Sequence, residues 1–248
     1  MHTVHASESE FDAIPMFRDL PAESKRLLSS GSSIENYERS TILFQQGAMP
    51  EFLFVVLDGM LHLCSDTMGG KGVTVTCARA GDFVLPAAVI TRKPYLLQAR
   101  SISQVRLLRV KTQILHELLE SDGSFSLAFL KQTSEQIRIN IEEVKSLRLK
   151  TGTQRFAAFL LREAYRQNSR EFIVLPYAKT ILASELDMTP ESLSRVIAKL
   201  QGTSLQVSGT IVHFLDYDAL VTLCARDFRT SPKHGQQHSM PPPPAPSE

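Results

Sequence analysis

Residues 175–200 read LPYAKTILASELDMTPESLSRVIAKL, and this stretch predicts two short helices joined by a tight turn. Leu182, Leu186, Met188, Leu193 and Val196 are the apolar positions such a pair buries, because two steeply crossing helices share only a small core. Ala183 lies where the helices come closest, so a larger side chain there would push them apart. Asp187 stands at the turn position usually held by glycine, and Asp is among the few residues that tolerate a left-handed backbone. Thr189 is the expected N-cap of the second helix, with Pro190 at the first helical position, where its missing N–H costs nothing.

From that start, Glu191, Ser194, Arg195 and Ala198 fall on one face, and Leu193, Val196, Ile197 and Leu200 on the other. Arg suits bidentate donation to guanine O6 and N7, Glu can accept from cytosine N4, and Ser can pair with either kind of base edge. Glu191, Ser194 and Arg195 are therefore candidate base-reading residues. A helix pair with a merely solvated outer face would show the same pattern, but the residues after Leu200 favour a DNA groove. Leu205 to Val207 and Thr210 to Phe214 are β-prone runs separated by Ser208-Gly209, a hairpin signal that predicts a wing. A helix-turn-helix followed by a wing points to double-stranded DNA as partner.

Composition neither suggests nor opposes this. The chain has 248 residues, room for two domains, and a formal net charge of +1, so DNA affinity must come from local Lys and Arg. Cys64, Cys77 and Cys224 are widely spaced and odd in number, which fits a reducing cytoplasm and opposes a disulfide framework or a thiolate zinc site. No apolar run approaches the roughly 20 residues a membrane span needs, and the polar N-terminus carries no signal-peptide core. Residues 229–248, with Pro241 to Pro244 in a row, have the composition of a disordered tail.

Upstream, Ile14 to Ser30 reads as a helical entry with Phe17, Leu20, Leu27 and Leu28 apolar and Pro21 opening a new turn. From Ile34 to Val110 short β-prone runs (41–44, 52–57, 61–64, 72–78 and 105–110) alternate with turn signals at Gln46-Gly47, Asp58-Gly59, Gly69-Gly70 and Ala80-Gly81-Asp82. That spacing implies a β-roll or sandwich, whose interior can hold a small ligand.

The runs STILFQQG (40–47), FVVLDG (54–59) and AGDF (80–83), with TQRFAAFLL (153–161) and the segment Met188 to Arg195, resemble the Crp/Fnr family of bacterial transcription regulators over roughly residues 14–225. The resemblance implies an α+β protein: an N-terminal β-roll like a cyclic-nucleotide-binding jelly roll, a long dimerisation helix and a C-terminal winged helix-turn-helix. It implies a sensor domain over 1–122, the dimer helix over 123–150, the DNA-binding domain over 151–228, and the tail beyond. ESLSR at Glu191 to Arg195 has the E-x-x-S-R form of the Fnr-like and FixK-like branches, which implies a palindromic TTGAT-type site, and Leu175-Pro176-Tyr177 is similar to the nitric-oxide- and oxygen-related regulators there. RNA polymerase would be a further partner of an activator.

Departures from the family bear on the signal. Cyclic-nucleotide binders follow Gly-Asp-Phe with a Gly-Glu pair and, later, an Arg for the cyclic phosphate; here Val84-Leu85-Pro86-Ala87-Ala88 stands there instead, an apolar wall. Arg92 and Lys93 lie near the phosphate position, but Pro94 and Tyr95 replace the small residues that should come next, so a cyclic nucleotide such as cyclic AMP is disfavoured. No Cys precedes Cys64, and an iron-sulfur cluster normally needs about four thiolates, which opposes that cofactor. One His can anchor haem, so a haem-borne gas signal stays open, with His62, His116, His2 and His5 as candidates, although none lies between Gly81 and Leu115 where carbon-monoxide-sensing relatives place theirs. His62 reads first as a polar residue on the outer face of a strand between Leu61 and Leu63, and Cys64 shares that outward face. His62 and Cys64 are the candidate sensor residues.

Phe125 to Lys150 predicts a helix about 39 Å long. Leu130, Ile137 and Val144 recur at seven, with Ile141 and Arg148 four beyond the last two, a heptad-like seam over which the helix can pair with its copy as a homodimer. Gly152 is the expected hinge, through conformations other residues avoid. Thr153, Arg155, Lys179, Thr189, Ser192 and Lys199 are candidate contacts to the DNA backbone. No nucleophile elbow, zincin motif or Walker loop is present, and the carboxylate pairs Glu142-Glu143 and Asp216/Asp218 sit where a solvated surface is expected, so the reading is not an enzyme. The competing class is a binding module whose β-roll takes a ligand or protein and whose C-terminal domain is only a docking surface.

Overall fold

Five apolar side chains adjoin one another from Phe52 to Val56 without the alternation of a half-exposed strand. The structure, a computed structural model describing residues 3–5, 8–12, 14–18, 20–65 and 73–225, shows that both faces of this strand are covered. Leu53 and Val55 join a core of Phe11, Ile14, Phe17, Leu28, Leu115, Leu118 and Phe125 on the helical side. Phe54 and Val56 join Tyr37, Phe44, Leu61, Leu63, Tyr95 and Leu107 between two sheets.

The chain divides into two compact units, residues 1–141 and 142–248. The first runs β1 (Thr3–His5), α1 (Glu8–Asp12), α2 (Pro15–Arg18), α3 (Ala22–Ser30), β2 (Ser32–Tyr37), β3 (Ile42–Phe44), β4 (Phe52–Asp58), β5 (Met60–Ser65), β6 (Val73–Arg79), β7 (Phe83–Val84), α4 (Pro86–Thr91), β8 (Gln98–Ser101), β9 (Val105–Lys111) and α5 (Thr112–Ser121), then most of α6 (Gly123–Leu149). Its sheets are antiparallel, ordered β1-β2-β9-β4-β7 and β3-β8-β5-β6, the β-roll that the strand spacing implies. The β4–β5 corner requires glycine: Gly59 has φ +79°, and a Cβ there would lie 2.3 Å from the Gln104 carbonyl oxygen. The Gly69-Gly70 turn, His2 and the proline-rich tail lie outside the described residues.

Five strands escape the sequence pattern because their apolar content is low or their length short, β1 and β7 having only three and two residues. β2 (SSIENY) buries Glu35, whose carboxylate accepts from the Tyr37 hydroxyl and pairs with Arg109 of β9, whose guanidinium lies 3.8 Å over the Phe52 ring. β8 (QARS) buries Gln98 and Ser101, and the Ser101 hydroxyl donates to the Glu38 carbonyl at 2.6 Å. β10 (Phe172–Val174), in the second unit, is only three residues long. The apolar wall after Phe83 becomes α4, entered through Leu85 at φ +46°.

The long helix α6 is tied to the roll at its start. Phe17 stacks between Phe83 (6.2 Å) and Phe125 (6.3 Å), and Phe129 lies 5.5 Å from Phe83. Asp122 caps the helix: its carboxylate accepts from the Ser124 and Phe125 backbone N–H groups at 2.9 and 3.1 Å, from the Ser124 hydroxyl, and from Ser24 on α3. Among the described residues no helix is long and apolar enough to cross a membrane.

The second unit holds the end of α6, then α7 (Gly152–Arg166), β10, α8 (Lys179–Glu185), α9 (Pro190–Leu200), β11 (Leu205–Ser208), β12 (Ile211–Phe214) and α10 (Tyr217–Ala225), with a sheet ordered β10-β12-β11. Phe156, Ala157, Leu160, Ile173, Leu182, Leu205, Val212 and Leu220 are fully buried in this unit. Thr151 opens α7 with a capping box, reciprocated by Gln154, whose amide also donates to the Leu223 carbonyl of α10.

The Asp122 cap has a measurable consequence. Hydrogen bonds from Ser124, then from Ser24, hold its carboxyl at about 2, below the ordinary 3.8. A depressed carboxyl stabilises the fold above its unfolded value, and the contribution is lost as pH falls from about 4 towards 2. Asp122→Ala should therefore cost about 1 kcal/mol near neutral pH. Its denaturation midpoint should also fall less steeply than that of the wild type across that acid window, measured by circular dichroism.

Candidate nucleic-acid interface

Helix α8 ends at Glu185 and α9 begins at Pro190, so the chain reverses within four residues. It does so through Asp187 at φ +51°, the left-handed conformation expected at that position. Met188 N–H donates to the Ala183 carbonyl at 2.8 Å and closes the turn. Ala183, Leu182, Leu186 and Leu193 are buried, and Met188 and Val196 half-buried. Thr189 caps α9, its hydroxyl accepting from Ser192 N–H at 3.2 Å, with Pro190 at the first position.

This start fixes which face α9 buries. Leu193, Ile197 and Leu200 point into the unit, whereas Glu191, Ser194, Arg195, Ala198 and Lys199 are exposed. Glu191 is held below its ordinary range, first by its own backbone N–H, then by Thr189 and the Arg195 charge, so it is an anionic acceptor beside a cationic donor. The Ser194 hydroxyl donates to the Pro190 carbonyl at 2.8 Å, a bond it would exchange to meet a base edge. Thr153 is half-buried on α7 and Lys179 exposed at the start of α8. The wing forms where Ser208-Gly209 predicts it, with β11 and β12 paired from Leu205↔Phe214 to Ser208↔Ile211 and Gly209 at φ +61°. β10 adds a third strand that the sequence pattern does not reveal.

Three expectations need correction. Arg155 is not a free phosphate contact: its Nε donates to the Leu186 carbonyl at 2.8 Å, Nη1 to Lys150 at 2.9 Å and Nη2 to Asp187 at 3.1 Å. Gly152 is no left-handed hinge; it is the first helical residue of α7, with the end of the Met188 side chain beside it. Cys64 is not exposed on the outer face of β5. Its pairing with β8 is regular (His62↔Arg100, Cys64↔Gln98), so it keeps the face of His62, but its neighbours Gln98 and Thr74 are buried with it and its sulfur lies 3.7 Å from Gln98 Oε1.

The roll's candidate sensor groups are engaged. His62 Nε2 lies 2.6 Å from the Thr74 hydroxyl, and burial, then Arg100, lowers its pKa and favours the neutral imidazole. His116 Nε2 lies 3.1 Å from the Val89 carbonyl oxygen and 3.4 Å from Arg92 Nε. Binding haem iron through Nε2 would require either histidine to give up these bonds. The residues do not fit a cyclic nucleotide. Arg92 and Lys93 are exposed, and Tyr95 fills the space between the sheets, stacked 3.8 Å from Phe44 with its hydroxyl on the Phe52 carbonyl at 2.9 Å.

Along α6 the heptad seam is bare: Leu130 is 61%, Ile137 58%, Ile141 53% and Val144 51% exposed. Leu127, at 53%, extends the seam at its N-terminal end; the heptad count misses it because it stands about one helical turn ahead of Leu130.

Comparison with known proteins agrees with this architecture. Residues 34–122 match the model of the cyclic nucleotide-binding domain and residues 154–223 that of the Crp-like helix-turn-helix domain. The anaerobic regulatory protein of Bacillus subtilis is 26% identical over 200 residues, covering 77% of this chain and 84% of that protein. The nitrogen fixation regulation protein FixK of Azorhizobium caulinodans is 26% identical over 194 residues, covering 74% and 76%. Among solved structures, FixK2 of Bradyrhizobium japonicum superimposes with a TM-score of 0.70 at 20% identity, covering 78% of this chain and 98% of that one. With a roll of the first type and a reader of the second in one chain, the protein belongs to the Crp/Fnr family of transcription regulators.

Proposed function

We propose that the protein is a homodimeric, sequence-specific regulator that reads a palindromic TTGAT-type operator with α9. The observation that carries this reading is the exposed Glu191, Ser194 and Arg195 on a helix whose start is fixed by the Thr189 cap and the Asp187 turn. Arg195 donates to guanine, Glu191 accepts from cytosine, and Lys179, Ser192 and Lys199 contact phosphates. The wing lies against the same duplex.

Dimerisation supplies the second half-site. A stripe of Leu127, Leu130, Ile137, Ile141 and Val144 left in water is costly, and each side chain gains roughly 1.5–3 kcal/mol on full burial. Pairing with the same stripe on a second copy removes it from water and gives two readers related by a two-fold axis, the symmetry of a palindrome. The signal is not a cyclic nucleotide, because Tyr95 and Phe44 occupy the roll's interior and the cations that would hold a phosphate point to solvent.

The division of labour between base-reading and phosphate-binding side chains is measurable by fluorescence anisotropy. Arg195→Ala should cost about 1–3 kcal/mol on the TTGAT palindrome and relax discrimination at one base pair, whereas Lys199→Ala should weaken all duplexes alike and lower the salt slope by about one. Ile137→Glu with Val144→Glu should convert the dimer to monomer in sedimentation and abolish tight operator binding; a persistent dimer with unchanged affinity would refute the seam.

A further inference from the structure

Helix α7 carries two arginines seven residues apart, Arg155 and Arg162, on one face and about 10 Å apart along the axis. Both reach from the end of α6 to the first helix of the reader. Arg155 bonds the Lys150 carbonyl, just past the C-terminus of α6, and the Leu186 and Asp187 carbonyls, just past the C-terminus of α8. It therefore sits where the negative ends of two helices converge, and its fork satisfies carbonyls that neither helix can satisfy itself. Two turns along, Arg162 lies 3.9 Å from Glu143 of α6 and 3.4 Å from Glu185 of α8, whose side chain is only 9% exposed.

We propose that Arg155 and Arg162 are positioning residues, a two-rung ladder that fixes α8, and through the Asp187 turn α9, against the last two turns of α6. Neither arginine touches DNA. Each rung bonds both helices through one guanidinium, so a displacement of the end of α6 is passed to the reader instead of being absorbed at the break between α6 and α7. The role in operator reading rests on the DNA-binding function proposed above; the ladder itself does not.

The test uses the full chain and a duplex selected from random DNA by the wild-type protein. Arg155→Lys keeps the charge and loses the fork; Arg162→Gln removes the second rung; Arg162→Glu with both Glu143→Arg and Glu185→Arg reverses that rung. The ladder predicts that Arg155→Lys and Arg162→Gln each weaken the selected duplex by about tenfold, leaving random-duplex affinity and the salt slope unchanged. It also predicts faster hydrogen exchange at the Asp187 and Met188 amides, and recovery of both properties in the fully reversed rung. Equal weakening of selected and random duplexes with a shallower salt slope would make these residues phosphate contacts and overturn the proposal. Unchanged affinity and exchange would overturn it equally. Should Arg155→Lys fail to fold, the Arg162 variants decide alone. Should the wild type select no duplex, the DNA-reading function fails while amide exchange still tests the ladder.

Discussion

The corner between α8 and α9 is the constraint on which the reader depends. Four residues must reverse the chain, and the carbonyls at the end of α8 have no intrahelical partners. Asp187 supplies the left-handed backbone and Arg155 takes the exposed carbonyls of Leu186 and Asp187. With the corner fixed, Thr189 and Pro190 set where α9 starts, and that start determines which side chains are buried and which face solvent. A start displaced by one residue would rotate the exposed face by about 100° and bring Leu193 or Ile197 towards water. The chemistry offered to a duplex therefore depends on backbone geometry several residues earlier.

The roll is built on a different principle. Its strand β4 is covered on both sides, by sheet on one and helices on the other, so the sheet is also the platform on which α6 begins. Phe17, Phe83, Phe125 and Phe129 join entry helix, roll and long helix in one aromatic contact set. Changes in the packing of β7 therefore bear directly on the first turns of α6. The domain type that is named for binding cyclic nucleotides here packs Tyr95 against Phe44 between its sheets.

Much of this is legible in the sequence, for physical reasons. Helix caps, a proline at the first helical position and a Ser-Gly hairpin are local signals, and they locate α9 and the wing to within about a residue. The strands β4, β5 and β9 are visible because they are apolar. β2 and β8 are not, since Glu35 and Gln98 are buried through partners distant in sequence, Arg109 and Gln45. Strict alternation finds the face of Cys64 but not its burial, which comes from Gln98 and Thr74 on the neighbouring strands. A basic residue near a DNA reader has phosphate binding as its simplest use, which misplaces Arg155; only the fold brings three carbonyls to its guanidinium. Gly152 suggests conformational freedom, whereas the structure makes it the first helical residue of α7.

The central claim is that two copies of α9 read one symmetric site. The direct measurement is enrichment of duplexes from a random pool by the full-length protein, with sequencing of the bound fraction. The account predicts a two-fold-symmetric motif whose TTGAT-type half-sites lie about one helical turn apart. Enrichment of a single asymmetric half-site, or no enrichment above the input pool, would contradict it.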